Sequence, residues 1–213
     1  LKLYLGDCQL APKNELEILG VTFDSKLTWS KHILAVTARA GQKLGALRKV
    51  SNKLDCKGRA TVYKSQVRSV MEYASLCWTN ASPSTLSLLD NIQKKALKII
   101  GVDETTARAQ LSIPSLAHRR QVAAVSVLYK MHSQHCPKDL GDMLPPSLER
   151  RRMTRLSTLM PDHALALPDA KTSSLDRSFI HSAVRIWNGL PDSVVGNISI
   201  TGLQAFKSRV HVY

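Results

Sequence analysis

SKHILAVTARAGQKLGALRKVSNKL, residues 30–54, is the stretch that sets the architecture. Ile33, Val36, Ala40, Leu44, Leu47 and Leu54 recur at three- and four-residue steps, the spacing of one apolar helix face. Ser30 is expected to cap this helix through its hydroxyl, with Trp29 packing on Leu34 as a hydrophobic staple. Lys31, Arg39, Lys49 and Lys53 fall on the opposite side, with Lys43 and Arg48 flanking them. Residues 30–60 hold eight basic groups and one acid, so half of the chain's formal net charge of +14 sits here.

Working downstream, residues 57–79 are apolar over a wider arc and predict a central, buried helix. Ser82-Pro83 is a cap followed by proline at the first helical position, and Gly101 is a stop, so a third helix is expected between them. Leu86, Leu89, Ile92, Ala96 and Ile100 form its inner face; Lys94, Lys95 and Lys98 form its outer one. A fourth helix is expected over 116–133. Beyond Cys136, Pro137, Pro145, Pro146, Pro161 and Pro168 interrupt any long element, and 137–172 reads as a proline-rich linker with one short helical turn. Order is expected to return in SSLDRSFIHSAVRIWNGLP, a helix capped near Ser174 and ending at Asn188-Gly189, and again in TGLQAFKSRVHV. Upstream, LKLYL and LEILGVTF flank Pro12 and Asn14 and predict one antiparallel hairpin with a loose connection. The class expected is mainly α: an N-terminal β-hairpin (1–29), a helical bundle (30–136), the linker, and a C-terminal helical segment (173–213).

Thirty Lys and Arg against 16 Asp and Glu, with a pI near 9.9, exceed what solubility requires and point to a polyanionic partner. No run of roughly 18 apolar residues offers a membrane span, and the first thirty residues lack a signal peptide's apolar stretch. An intracellular protein, nuclear and cytoplasmic, is expected, with no membrane partner. Cys8, Cys56, Cys77 and Cys136 are unevenly spaced, unlike a disulfide framework, and read as reduced thiols. The chain begins at Leu1, which suggests a fragment.

Four stretches carry a resemblance: ILGVTFDSKLTWSKHI (18–33), YKSQVRSVMEYASLCW (63–78), LDNIQKKALKIIGV (89–102) and SFIHSAVRIWNGLP (178–191). In order and spacing they resemble the C-terminal part of the reverse transcriptase of LINE-type, non-LTR retrotransposons, of the jockey-like and related animal groups. In that family the palm supplies catalytic aspartates, including a Tyr/Phe-x-Asp-Asp turn, and a primer-contacting hairpin and helical thumb follow. The resemblance implies that Leu19, Gly20 and Val21 form the primer-grip-like turn and that residues 30–100 are thumb. The sequence departs from the family in one respect: it has no Asp-Asp pair, its only adjacent acids being Asp103-Glu104. Two-metal phosphoryl transfer needs clustered carboxylates, so this chain alone is not expected to be an enzyme. No cofactor is expected in it, magnesium belonging only to the missing catalytic core.

The cationic side chains are the candidate binding residues. Those of 30–54, with Lys94, Lys95 and Lys98, would track the phosphates of an RNA and DNA primer–template duplex, contacts that are independent of sequence and dependent on salt. The bland alternative is a solvated surface. Arg150, Arg151, Arg152 and Arg155 form a proline-bounded basic block that could fold onto RNA, or be a plain linker charge run. Gly20 could equally mark a bulge or a close packing point. His132, His135 and Cys136 lie close together, but no CxxC or CCHC spacing supplies a fourth zinc ligand. Trp187 could stack on a base; core packing is the commoner use. No nucleophile motif or glycine-rich phosphate loop, and no small-molecule substrate, is indicated. The competing function is a structural or protein-interaction module docking on the missing fingers and palm, or a remnant of a decayed element.

Overall fold

The Asp24 carboxylate turns the chain from strand into helix. It accepts the backbone N–H groups of Lys26, Thr28 and Trp29 at 2.9–3.1 Å and the Thr28 hydroxyl at 3.1 Å. The computed structural model describes residues 3–148, 161, 163–195 and 202–212. Within them the contacts gather into two units, Leu1–Ala74 with Ala81–Val102, and Ser75–Asn80 with Asp103–Tyr213. The chain is mainly helical, with short antiparallel strands at its N-terminal end.

In the first unit the strands form two hairpins, not the single one expected. β1 (Leu3–Leu5) pairs with β2 (Cys8–Leu10), and β3 (Glu15–Ile18) with β4 (Val21–Asp24). Each pair closes through its own two-residue turn, and Pro12 between them has no N–H to give a ladder. In the second hairpin Leu19 and Gly20 both take positive φ, 50° and 79°, and Ile18 pairs directly with Val21.

α1 (Ser30–Val50) follows. Its N-cap is Trp29, at φ 64°, and Ser30 is the first helical residue, so the expected Ser30 cap is not formed. The staple is also absent: Leu34 is 57% exposed, while Trp29 is buried and meets Phe23 edge-on at 5.1 Å. The cause is Asp24, which holds the Thr28 and Trp29 N–H groups and draws the indole under the hairpin. Ile33, Val36, Ala40, Leu44 and Leu47 are buried, as the periodicity requires.

A 3-10 turn (Ser51–Lys53) leads to α2 (Cys56–Val62), capped by Asp55, whose Oδ1 accepts the Gly58 N–H at 2.7 Å. A π-helical turn (Tyr63–Arg68) and α3 (Ser69–Glu72) continue the rod. Sequence periodicity carried this helix to residue 79; it ends at Glu72 because Tyr73 leaves helical geometry and Ala74 adopts φ 49°. α4 (Pro83–Ile100) starts and stops where expected, with Ser82 accepting the Thr85 N–H at 3.2 Å and Gly101 at φ 88°. α4 packs along α1. The Tyr63 hydroxyl donates to Gln93 Oε1 at 3.2 Å within this core.

The first helix of the second unit is α5 (Glu104–Leu111), capped by Asp103, an element the apolar spacing did not announce. α6 (Leu116–His132) starts under a Ser115 cap. After α7 (Lys138–Gly141), Ser147 bridges Leu165. The helix expected from Ser174 to Asn188 is two, α8 (Ser173–Asp176), capped by Thr172, and α9 (Phe179–Asn188), with Arg177 and Ser178 between them. α10 (Asp192–Val195) and α11 (Leu203–Val212) complete the unit. α6 packs on α9 and α11, burying Val125, Leu128, Val184, Trp187 and Phe206. Trp187 is therefore core: its indole N–H donates to the His163 carbonyl at 3.0 Å, as buried indoles generally require. Asn188 fixes the neighbouring backbone, accepting the Leu165 N–H and donating to its carbonyl, both at 2.9 Å.

Candidate nucleic-acid interface

Because the apolar stripe of α1 faces inward, its charges face out. Arg39, Lys43, Arg48 and Lys49 are exposed on α1, Lys53 on the 3-10 turn, and Lys94, Lys95 and Lys98 on α4. Among the described residues none of these eight cations pairs with a carboxylate. Lys43 Nζ reaches Gln66 Oε1 at 3.3 Å, a neutral partner that leaves its charge uncompensated. Lys31 differs, because its ammonium is engaged by Glu15 of β3, which anchors the hairpin and reduces its value as a phosphate ligand. Basic side chains also sit in the last turn of α1, where Arg48 and Lys49 complement the negative end of the helix dipole.

Leu19, Gly20 and Val21 divide into two roles. Val21 is buried, whereas Leu19 is 85% exposed at the tip of the turn. The Tyr73 hydroxyl donates to the Leu19 carbonyl at 2.8 Å, and its ring lies 3.9 Å from where a Cβ on Gly20 would stand. Tyr73 is itself 57% exposed. The tip is thus held from below and presents apolar surface outward. Sequence reading missed Tyr73, because the contact spans 54 residues and depends on the helix ending at Glu72.

His32, in the first turns of α1, is buried, and its Nδ1 accepts the Thr22 N–H at 3.2 Å, tying β4 to the helix. Burial lowers its pKa, reinforced by Arg39. Arg59 closes the other end of the unit, donating to the Ile99 carbonyl at 3.0 Å near the C-terminus of α4. Arg150, Arg151, Arg152 and Arg155 lie outside the described residues. Among the described residues no group of three or more His, Cys, Asp or Glu side chains gathers to hold a metal ion, and no helix is long and apolar enough to cross a membrane. His132 packs beside Trp187, with ring centroids 5.8 Å apart.

Comparison with known proteins gives this surface a context. A 101-residue stretch, 46% of the chain, is 27% identical to a Drosophila melanogaster protein named "Probable RNA-directed DNA polymerase from transposon X-element". A 150-residue stretch, 67% of the chain, is 24% identical to the Drosophila melanogaster "Probable RNA-directed DNA polymerase from transposon BS". The chain is related in sequence to part of these transposon polymerases. It spans 11% and 16% of their lengths. No family model matches the chain, and no solved structure matches it.

Proposed function

We propose that the chain is a noncatalytic nucleic-acid-binding segment of a non-LTR retrotransposon reverse transcriptase, gripping the primer–template duplex or the template RNA during RNA-templated DNA synthesis. The observation that carries the reading is the set of exposed cations on α1 and α4, none paired with a carboxylate among the described residues apart from Lys31, on a chain related to transposon polymerases. Its partners in this proposal are RNA, DNA and the fingers and palm of the same polyprotein. The metal-dependent chemistry belongs to that catalytic core, and the setting is intracellular, nuclear and cytoplasmic. The β3–β4 turn would serve as the primer-grip-like element, with residues 30–100 as the thumb.

The test is filter binding of the chain to an RNA–DNA duplex at rising salt. If about five phosphates are neutralised, log affinity falls against log salt with a slope of about −4. Simultaneous charge reversal at Arg39, Lys43 and Lys49 should flatten the slope and remove most of the affinity. Negligible binding at low salt, or binding indifferent to the reversal, would sink the proposal in favour of a protein-docking role.

A further inference from the structure

The second unit holds a cationic groove of its own. Between α5, α6 and α11 lies an open hollow of about 740 Å³ lined by Arg108, Arg119 and His211. A smaller hollow of about 270 Å³ adjoins it, shares Arg119 and His211, and continues to Lys130 and Lys207. His118 completes the set, its Nε2 3.4 Å from His211 Nδ1 and the two rings 5.5 Å apart. Three helices therefore bring four permanent cations and two imidazoles to one surface.

We infer that this groove binds the phosphodiester backbone of a nucleic-acid strand, through Arg108, Arg119, Lys130 and Lys207, with His118 and His211 as hydrogen-bond donors between them. The ligand's identity rests on the nucleic-acid reading above; the groove itself uses none of the α1 residues. Two hollows that share one Arg–His pair give the cations an extended track, with room for more than a single small anion. Arg108 pairs with no carboxylate among the described residues; Asp103, which caps α5, accepts the Thr105 hydroxyl and the Thr106 N–H. Burial lowers the pKa of both imidazoles, His118 being further lowered by His211, Arg108 and Arg119, and His211 by Arg119 and Lys207. A phosphate would relieve that crowding of positive charge and draw protons onto the rings.

Inorganic phosphate and a short single-stranded oligothymidylate are titrated into the full chain, following the His118 and His211 ring resonances by NMR and strand affinity by anisotropy. The strand should shift both rings, raise their pKa values and bind far more tightly than phosphate. Arg108→Gln, at an exposed position, should weaken the strand contact at these rings roughly tenfold at low salt, and Arg119→Gln should do the same. Charge reversal at Lys49 should leave the ring shifts intact, which separates this groove from the α1 surface. Unmoved ring resonances, indifference to Arg108→Gln, or phosphate binding as tightly as the strand would each overturn the inference.

Discussion

The hydroxyl of Tyr73 donates to the carbonyl of Leu19 at 2.8 Å, so a residue just past the end of α3 clamps the tip of the second hairpin. Tyr73→Phe removes this bond from an exposed site and should cost about 0.5–1 kcal/mol of stability. Gly20→Ala places a side chain at φ 79° and should cost about 1 kcal/mol more. Urea melts measure both, and amide exchange at Leu19 and Gly20 should quicken in each variant while that of α4 does not.

Stability should fall in two stages as pH drops. His32 is the first stage. Its buried imidazole, next to Arg39, titrates below its ordinary value of 6.5, so the folded state binds fewer protons than the unfolded one. The stabilisation is complete above pH 6.5 and erodes as pH falls from there toward the lowered value. His118, His132 and His211 are lowered in the same direction and add to the slope. Asp24 is the second stage: burial pushes its pKa up, but the hydrogen bonds from the Thr28, Trp29 and Lys26 N–H groups and the Thr28 hydroxyl together outweigh this and hold it below 3.8. Its contribution is present above pH 3.8 and is lost below. His32→Gln keeps a hydrogen-bonding side chain without the titration and should flatten the first stage of a pH-dependent denaturation series; an unchanged slope would contradict the assignment.

Gly58 and Asp55 should be coupled. In an exposed helix, glycine to alanine normally gains about 1 kcal/mol. Here a Cβ on Gly58 would stand 2.9 Å from Asp55 Oδ1, the atom that caps α2. Gly58→Ala should therefore fail to stabilise the native chain yet stabilise the Asp55→Ala variant by about 1 kcal/mol. A double-mutant cycle from thermal melts reads this directly.

Trp187→Ala should unfold the second unit selectively. The indole is buried between His132, His163 and Phe206 and holds the His163 carbonyl, and its loss should cost about 3–5 kcal/mol. Near-ultraviolet circular dichroism and proteolysis should report a disordered second unit, while exchange protection in α1 and α4 persists.

What the sequence discloses and what it withholds follow the range of the interactions. α1, α4 and α6 are legible from local signals: the apolar stripe of α1, the stripe, capping Ser82 and terminal Gly101 of α4, and the capping Ser115 of α6. The same locality exposes the outward cations, since a lysine opposite a buried stripe has nowhere else to go. The end of α3 is not legible: Met71 and Trp78 are both apolar at helical spacing, yet Ala74 turns the chain between them. Nor is the partner of α6, because α9 and α11 lie beyond a proline-rich stretch that severs any periodic pattern. The Arg108–Arg119–His211 groove needs three separate helices to meet, and no spacing in the sequence encodes it.

The wide turn at Tyr63–Arg68 gives the helical rod a point where a change in length can be absorbed. Each residue in an α-helix advances the chain by about 100°, so a deletion within α1 would swing its basic side chains toward the core and its leucines toward water. A π turn already carries a surplus residue. Deleting one of the half-exposed or exposed positions Lys64 to Gln66 would draw it into ordinary α-helical winding, with Val67 and Met71 still pointing inward. Homologous chains one residue shorter at this point would share the same packing, and an alignment gap there would signal a common structure, not a divergent one.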